Sequence, residues 1–301
     1  MANEMVEVEA QLSAWLPSRH TGPPALAWLG QAGFVIRDAD HTLVLDPYLS
    51  DALAKKYRGT PFPHTRLMGP PVSAEALHPL DAVFCSHAHT DHMDPETLPV
   101  LARRNARAVF VVPRATCQTA VSRGIPARRL IAMNAGDTVS VRTGLRVHAV
   151  ASAHETLQTD EQGNHRFLGY VIELGEWIVY HAGDGVPYGG LAERLRPFGI
   201  RLALLPVNGR DDRRRRHGVP GNFTFDEAAA LCDRAGIGAM LPCHFGMFAF
   251  NTVDETVLDR QIAGLPAGLQ CLRPRPGRLI QWRSRASGGS GQPAGTTEPQ
   301  A

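Results

Sequence analysis

The sequence lacks the features of secreted, membrane-spanning and disulfide-rich proteins. Its 301 residues include five cysteines, an odd number, and none of them form a Cys-x-x-Cys pair. The first ten residues are acidic and contain no basic region followed by an apolar core, and no apolar run reaches the ~18 residues that a membrane span needs. We therefore expect a reduced cytoplasmic protein with free thiols and no contact with a membrane.

An excess of charge of one sign is also missing. Lysine and arginine number 31 against 29 aspartates and glutamates, which gives a formal net charge of +2. That balance does not indicate a nucleic-acid-binding surface. With 44% hydrophobic residues the chain can bury a sizeable core. We expect small molecules, and no nucleic acid, as its partners.

Histidine and aspartate, by contrast, are concentrated in one stretch, residues 86–94. It contains three histidines and two carboxylates: His87, His89, Asp91, His92 and Asp94. The stretch follows a short apolar run predicted to be a buried strand and precedes a helix-start signal. In extended chain, residues two apart point the same way, so His87 and His89 can bind one ion. Asp91 and His92, after the chain turns, can face a second one. This pattern predicts a two-metal hydrolase site on a strand-to-helix loop.

The spacing His-x-His-x-Asp-His resembles the signature of the metallo-β-lactamase fold superfamily. The resemblance implies the fold and a metal site. It does not imply a substrate, because that superfamily contains many hydrolytic chemistries.

The order of predicted elements indicates the same architecture. Strands are predicted at 25–36, 42–45, 108–112, 138–141, 145–151, 167–173, 176–180, 202–205 and 237–241. Helices are predicted between and after them, so two β-rich halves with outer helices should form an α/β fold, the four-layer αβ/βα sandwich of the metallo-β-lactamases. We expect residues 1–24 to be a lead-in containing a short helix, 25–282 to be the hydrolase domain and 283–301 to be a disordered tail.

A two-metal site needs more ligands than this stretch supplies, and His154, Asp184 and His244 each follow a predicted strand. Their order and spacing agree with the superfamily resemblance. It implies one ion on His87, His89 and His154, a second on Asp91, His92 and His244, and Asp184 as the bridge. Asp91 and Asp184 are the catalytic candidates, Asp91 as the group that orients the attacking hydroxide or moves its proton. His181 is expected to orient the loop that carries Asp184.

The ligand set, imidazole mixed with carboxylate, suits zinc, manganese or iron. We expect two divalent ions, Mn²⁺ or Zn²⁺, although the sequence does not decide between one and two.

Three further segments, 28–34, 181–184 and 242–248, together look like the L-ascorbate-6-phosphate lactonase (UlaG-like) branch of the superfamily. That resemblance implies a hydrolase that opens a small anionic, sugar-phosphate-like lactone or cleaves an ester. It also implies manganese as a common metal and a homo-oligomer. The chain departs from the branch in the insertion-like segment 208–217.

Two segments allow two interpretations each. Residues 50–80 are either a segment lying over the active site or a plain surface excursion. The run Arg213–Arg216 is either a solvated mobile loop or a grip for an anionic substrate, with Asn208, Arg210 and Arg213 as candidate substrate-binding residues.

Two other functions are alternatives to the lactonase. The first is a phosphodiesterase of the phospholipase D-like type, which residues 86–92 and the turn at Asp46-Pro47 also resemble. The second is a non-catalytic metal-binding scaffold, which would be expected to have lost ligands.

Overall fold

A computed structural model describes residues 3–9, 11–18 and 20–284. The strands in chain order are β1 (Asn3–Glu9), β2 (Ala25–Gly30), β3 (Gly33–Arg37), β4 (Thr42–Leu45), β5 (Ala82–Phe84), β6 (Val109–Pro113), β7 (Leu130–Met133), β8 (Thr138–Arg142), β9 (Leu145–Ala151), β10 (Leu168–Leu174), β11 (Trp177–His181), β12 (Leu202–Pro206), β13 (Ala239–Cys243), β14 (Gln270–Cys271) and β15 (Arg278–Ser284).

The α-helices are α1 (Leu12–Trp15), α2 (Ala52–Lys56), α3 (Thr97–Arg104), α4 (Cys117–Ser122), α5 (Leu191–Leu195), α6 (Asp212–Arg216), α7 (Phe225–Ala235) and α8 (Glu255–Ala263). Single turns of 3-10 helix lie at Ala74–Ala76, Arg114–Thr116, Ala127–Arg129 and Arg196–Phe198. No helix in the described ranges is both long enough and apolar enough to cross a membrane.

The strands form two mixed sheets. The first has eight strands in the order β1-β15-β2-β3-β4-β5-β6-β7, and the second has seven in the order β14-β13-β12-β11-β10-β9-β8. Strands β2 to β5 are buried along their whole length, as expected for strands covered on both faces. Their continuous apolar runs therefore predict their central place in the sheet.

The layers follow from what each apolar face packs against. The largest cluster of buried side chains joins the two sheets, with Trp28 and Phe84 from the first and Tyr170 and Val179 from the second. A second cluster packs α3 and α4 on the outer face of the first sheet, and α7 packs on the second sheet. This arrangement confirms the predicted four-layer αβ/βα sandwich.

The N-terminal residues differ from the prediction of a lead-in with one short helix. The helix is present as α1, but it is preceded by β1, which pairs antiparallel with β15 and becomes the edge of the first sheet. Its partner lies at the other end of the chain, so no local pattern could reveal the pairing. The disordered tail predicted for 283–301 lies outside the described residues, except that Arg283 and Ser284 end β15.

The two sheets are hydrogen-bonded to each other at the end of β5. The hydroxyl of Tyr170 donates to the main-chain oxygen of Cys85 at 2.9 Å, and the Leu168 N–H donates to the oxygen of Ser86 at 3.0 Å. Both residues of the second sheet lie in β10, and Tyr170 is fully buried. These bonds fix the start of the histidine-rich loop against the opposite sheet.

We expect Tyr170→Phe to lower the free energy of unfolding by about 1–3 kcal/mol, because a buried carbonyl loses its hydrogen-bond donor. Tyr180→Phe is the matched control, since Tyr180 lies in the neighbouring β11 and its hydroxyl makes no hydrogen bond to the part of the chain that the structure describes. Urea unfolding of both variants measures the difference. Equal losses in the two variants would contradict this role of Tyr170.

Candidate metal centre

The predicted metal ligands converge into two adjacent groups. In each group the ligand atoms lie within 4.8 Å of one another. The first group is His87, His89, His154 and Asp184, and the second is Asp91, His92 and His244. The structure therefore brings together all seven predicted ligands, and the six assigned to separate ions fall in separate groups as expected. Asp184, expected as the bridge, falls in the first group.

Convergence follows from the strand ends. The loop of residues 86–94 follows β5, His154 follows β9, Asp184 follows β11, and His244 comes directly after β13. These four strand ends lie at one edge of the facing sheets. Gly183 permits the close approach of the Asp184 loop, since it has a φ of 61° and a Cβ there would lie 2.5 Å from the Cβ of Ser86.

Asp184 lies between the two groups. Its Oδ1 is 3.3 Å from His92 Nε2 and 3.2 Å from His244 Nε2, whereas its Oδ2 is 3.9 Å from His154 Nε2. One carboxylate oxygen therefore faces each group, which is the arrangement that a bridging ligand requires. Asp91 Oδ2 lies 3.6 Å from His244 Nε2 on the other side.

The buried polar atoms of these residues fit metal ions. Several of them make no hydrogen bond to any described residue: His87 Nε2, His92 Nε2, both ring nitrogens of His154, and Asp184 Oδ1. Buried polar atoms are almost always paired, so a convergent set of unpaired ring nitrogens and carboxylate oxygen needs a partner of its own. Imidazole and carboxylate are the donors that zinc, manganese and iron accept. The ligand roles themselves stay a prediction.

Asp46 is a central residue whose role the sequence did not reveal, since it appeared there only in the turn that follows a predicted strand. Its Oδ2 lies 2.7 Å from His92 Nδ1, 2.8 Å from His181 Nε2 and 2.7 Å from Ser86 Oγ, and its Oδ1 accepts the Ser86 N–H at 2.7 Å. Because Nδ1 of His92 donates to this carboxylate, its Nε2 is left to face the other ligands. The only signal for Asp46 in the sequence was its position at the end of β4, next to β5.

His181 thus acts on a different partner from the one predicted. Its side chain contacts the carboxylate of Asp46, and through Asp46 it lies behind His92. It was expected to orient the loop of Asp184. The difference arises because His181 is the last residue of β11 and points across to the first sheet, where Asp46 ends β4.

Gln31 is a second residue whose role the sequence did not reveal. Its Nε2 donates to Asp91 Oδ2 at 2.8 Å, and its main-chain oxygen accepts the N–H of His244 at 2.8 Å. Gln31 and His244 both have positive φ, 52° and 61°, a conformation that costs non-glycine residues energy and often occurs at functional sites. Gln31 therefore positions two predicted ligands of the second group.

The two groups of histidines differ in their electrostatics. Burial lowers the pKa of His87 and His89, and it lowers the pKa of His154 to about 4, so these imidazoles are neutral at neutral pH. Burial acts in the same direction on His92 and His244, but the carboxylates that face them outweigh it. They raise the pKa of His92 well above its usual range and that of His244 to about 9.

A cavity of about 420 Å³ opens over the ligands, and His89, Asp91, His154, Asp184 and His244 line part of it. Much of the remaining lining comes from the 50–80 segment, including Lys56, Tyr57, Phe62 and His64. This segment therefore borders the candidate site, which is the first of its two interpretations.

The arginine run is helical and not an irregular loop, and its residues differ in their surroundings. Residues 212–216 form the short helix α6, and none of the predicted substrate-binding residues Asn208, Arg210 and Arg213 lines the cavity. Arg210 is paired with Glu227 at 2.6 Å, and Asn208 is buried among other amides. Arg213 is exposed, with its guanidinium 5.6 Å from the ring centre of Phe62.

Comparison with known proteins identifies the family. The family model of the beta-lactamase superfamily domain matches residues 41–245, more than half of the chain. This range contains all seven predicted metal ligands. The chain belongs to the metallo-β-lactamase superfamily. A relative from Myxococcus xanthus, called a UPF0173 metal-dependent hydrolase, is 26% identical over 85% of this chain and 82% of its own.

Two solved hydrolase structures share the fold. Igni18, a metallo hydrolase from Ignicoccus hospitalis, aligns with a TM-score of 0.63 at 18% identity, over 88% of this chain and 100% of its own. An isothiocyanate hydrolase from Delia radicum gut bacteria aligns with a TM-score of 0.66 at 17% identity, over 86% of this chain and 100% of its own. At these identities the likeness supports the superfamily fold.

We expect Asp46→Asn to weaken metal binding about 10–100-fold, because His92 loses the charged acceptor that orients its ring. Asp38→Asn is the matched control, since Asp38 contacts His41 Nδ1 at 3.1 Å in a comparable pair away from the superfamily motif. Competition with a chromophoric chelator measures both affinities. Wild-type affinity in Asp46→Asn would show that the pair does not tune the metal centre.

We also expect metal uptake to release protons from the second group alone. At neutral pH His92 and His244 are protonated and must lose a proton to bind a metal, whereas His87, His89 and His154 are already neutral. Because the pKa of His244 is about 9, its share of the release should fall as the pH rises through that value. Calorimetric titration in buffers of different ionisation enthalpy measures this release. A proton release that stays constant as the pH rises through 9 would contradict the assignment.

Proposed function

We propose that this protein is a metal-dependent hydrolase that opens a small anionic lactone or cleaves an ester. The observation that carries the proposal is Asp184, whose two carboxylate oxygens face two separate ligand groups beside one cavity. The name metal-dependent hydrolase, borne by the Myxococcus xanthus relative, supports the reaction type. The lactonase branch is favoured by the three segments described from the sequence.

Divalent ions at such a site lower the pKa of a bound water to near neutrality and so supply hydroxide for hydrolysis. The chain itself supplies the groups around that water. Asp91 lines the cavity, and burial raises its pKa, but His92 and the hydrogen-bonded His244 outweigh burial and hold the pKa below its usual range. Its carboxylate is therefore ionised and can accept a proton, while the Gln31 amide holds it in place.

The preference for an anion is supported by the charges of the cavity. Lys56 lines it and forms no ion pair with any described acid, whereas the neighbouring Lys55 is paired with Glu96 at 2.7 Å. Arg123 also lines the cavity and donates to the main-chain oxygen of Met93. Lys56 thus replaces Arg210 and Arg213 as the candidate cation for a carboxylate or phosphate of the substrate.

An apolar wall faces the substrate beside this charge. Tyr57 and His64 stack with ring centres 4.2 Å apart, and His64 lies 4.9 Å from Phe248. Phe62 adds a further ring to the lining. Such surfaces bury the carbon skeleton of a small molecule and leave its polar group to the ligands and Lys56.

The test is turnover of a panel of neutral and carboxylated lactones, p-nitrophenyl esters and bis(p-nitrophenyl) phosphate, with metal content measured by plasma mass spectrometry. We expect lactone or ester hydrolysis that is lost on chelation and restored by Mn²⁺ or Zn²⁺. In Asp184→Ala the rate should fall about 100-fold or more, since a group that holds the reacting centre is removed.

Asp40→Ala is the control, because Asp40 is exposed and its side chain makes no hydrogen bond to the described residues. Cleavage of the phosphodiester without any lactone or ester would identify the chain as a phosphodiesterase instead. Full metal loading without turnover of any compound in the panel would favour the non-catalytic scaffold.

A further inference from the structure

Asn251 is a buried polar residue of the cavity that neither the ligand set nor the family match includes. It lies in the loop after β13 and its side chain lines the same cavity as Asp91 and Asp184. The residue is only 8% exposed. Its Oδ1 accepts two hydrogen bonds, from Asn208 Nδ2 and from Arg214 Nη1, both at 2.7 Å.

The orientation of the Asn251 amide is fixed by these partners. A guanidinium can only donate, so the atom of Asn251 that faces Arg214 must be the oxygen. Arg214 is itself held, because its guanidinium also donates to the main-chain oxygen of Asn208 and to Asp211. The amide nitrogen of Asn251 therefore points away from Arg214.

The opposite end of the network leads to the same orientation. The main-chain N–H of Gly185, next to Asp184, donates to Asn222 Oδ1 at 2.7 Å. Asn222 Nδ2 then donates to Asn208 Oδ1 at 2.9 Å, and Asn208 Nδ2 donates to Asn251. Since a backbone N–H can only donate, this chain of amides has a single direction. It ends at the oxygen of Asn251 and leaves the nitrogen of Asn251 outside the chain.

The Nδ2 of Asn251 makes no hydrogen bond to any residue in the described ranges. Every other amide group in this network, by contrast, uses both its oxygen and its nitrogen. Unlike the enclosed unpaired atoms of the predicted metal ligands, Nδ2 of Asn251 is accessible from the cavity, where a ligand or solvent oxygen can accept its hydrogen bond.

We propose that Asn251 is a fixed hydrogen-bond donor for a carbonyl or carboxylate oxygen of the substrate. The identification of that oxygen as part of a substrate rests on the proposed hydrolase function. The network ties Asn251 to the residue that follows Asp184, so the donor and the bridging carboxylate keep a constant relative position. Binding an oxygen acceptor here places the ester or lactone group beside the ligand groups.

This assignment gives the arginine run and Asn208 a structural role. Arg214 is buried beneath the cavity lining, and Asn208 lies one amide behind Asn251. Neither side chain lines the cavity, but both of them orient Asn251, which does. Arg214 and Asn208 therefore affect substrate binding through Asn251.

The test is a titration of the zinc-loaded full chain with acetate as the probe. Binding is measured from the side-chain amide resonances of Asn251 in ¹H–¹⁵N spectra. We expect these resonances to shift and saturate as acetate is added. The resonances of Asn105 are the internal control, since its Nδ2 donates to two main-chain oxygens, those of Leu77 and Leu101. Methylammonium, which offers no acceptor, should not move Asn251.

Two variants measure the contribution of the donor. Asn251→Leu should weaken acetate binding about tenfold or more, the loss expected for one hydrogen bond to a charged acceptor. Asn251→Asp, of the same shape, should weaken it further, because a carboxylate would then face the anion. Resonances of Asn251 that stay unmoved while acetate saturates the protein would overturn the proposal, and the wild-type spectra give this result even if a variant fails to fold.

Failure of the hydrolase proposal has a different signature. If no lactone or ester is turned over but Asn251 binds acetate, the donor assignment holds and the reaction is wrong. If lactones or esters are hydrolysed while acetate leaves Asn251 unmoved, the reaction holds and the donor assignment is overturned.

Discussion

The carboxylate of Asp46 is fully buried and faces two imidazoles, His92 from the histidine-rich loop and His181 from the second sheet. A buried carboxylate is costly unless its charge is matched and its oxygens accept hydrogen bonds. Burial raises the pKa of Asp46, but the two imidazoles outweigh it and keep the group ionised. Because the partners come from different sheets, the sheets must meet at this edge in one register.

The rest of the centre is built outward from that contact. With Nδ1 of His92 committed to Asp46, its Nε2 faces Asp184 at 3.3 Å. Three of the four described non-glycine residues with positive φ, namely Gln31, Asp46 and His244, lie at this edge. Their backbone conformations are held by surrounding hydrogen bonds and by tight core packing, such as the stacking of Trp28 on Phe245 at 4.7 Å. Rigid strands thus hold the side chains that a metal site needs at fixed positions.

The cavity combines three kinds of surface that come from separate parts of the chain. The strand ends supply the ligand groups, the 50–80 segment supplies aromatic rings and Lys56, and the amide network supplies Asn251. The small anionic ester or lactone that we propose as substrate would place its carbon skeleton on the rings and its oxygens on the donors. In this proposal the apolar wall and Asn251 restrict which substrates fit, whereas the ligand groups determine the type of reaction.

The sequence by itself determined the class of fold and the position of the candidate metal ligands along the chain. Buried strands are apolar without interruption, and the His-x-His-x-Asp-His spacing is local, so both are visible as patterns in the chain. Partners that are distant in sequence were decided only by the tertiary structure. Strand β1 pairs with a strand some 270 residues away, Gln31 fell inside the strand predicted at 25–36, and Asp46 came directly after the strand predicted at 42–45. The sequence showed the charge of the arginine run but not the surroundings of its side chains. Whether a guanidinium binds a substrate or orients a buried asparagine depends on which side chains fold around it.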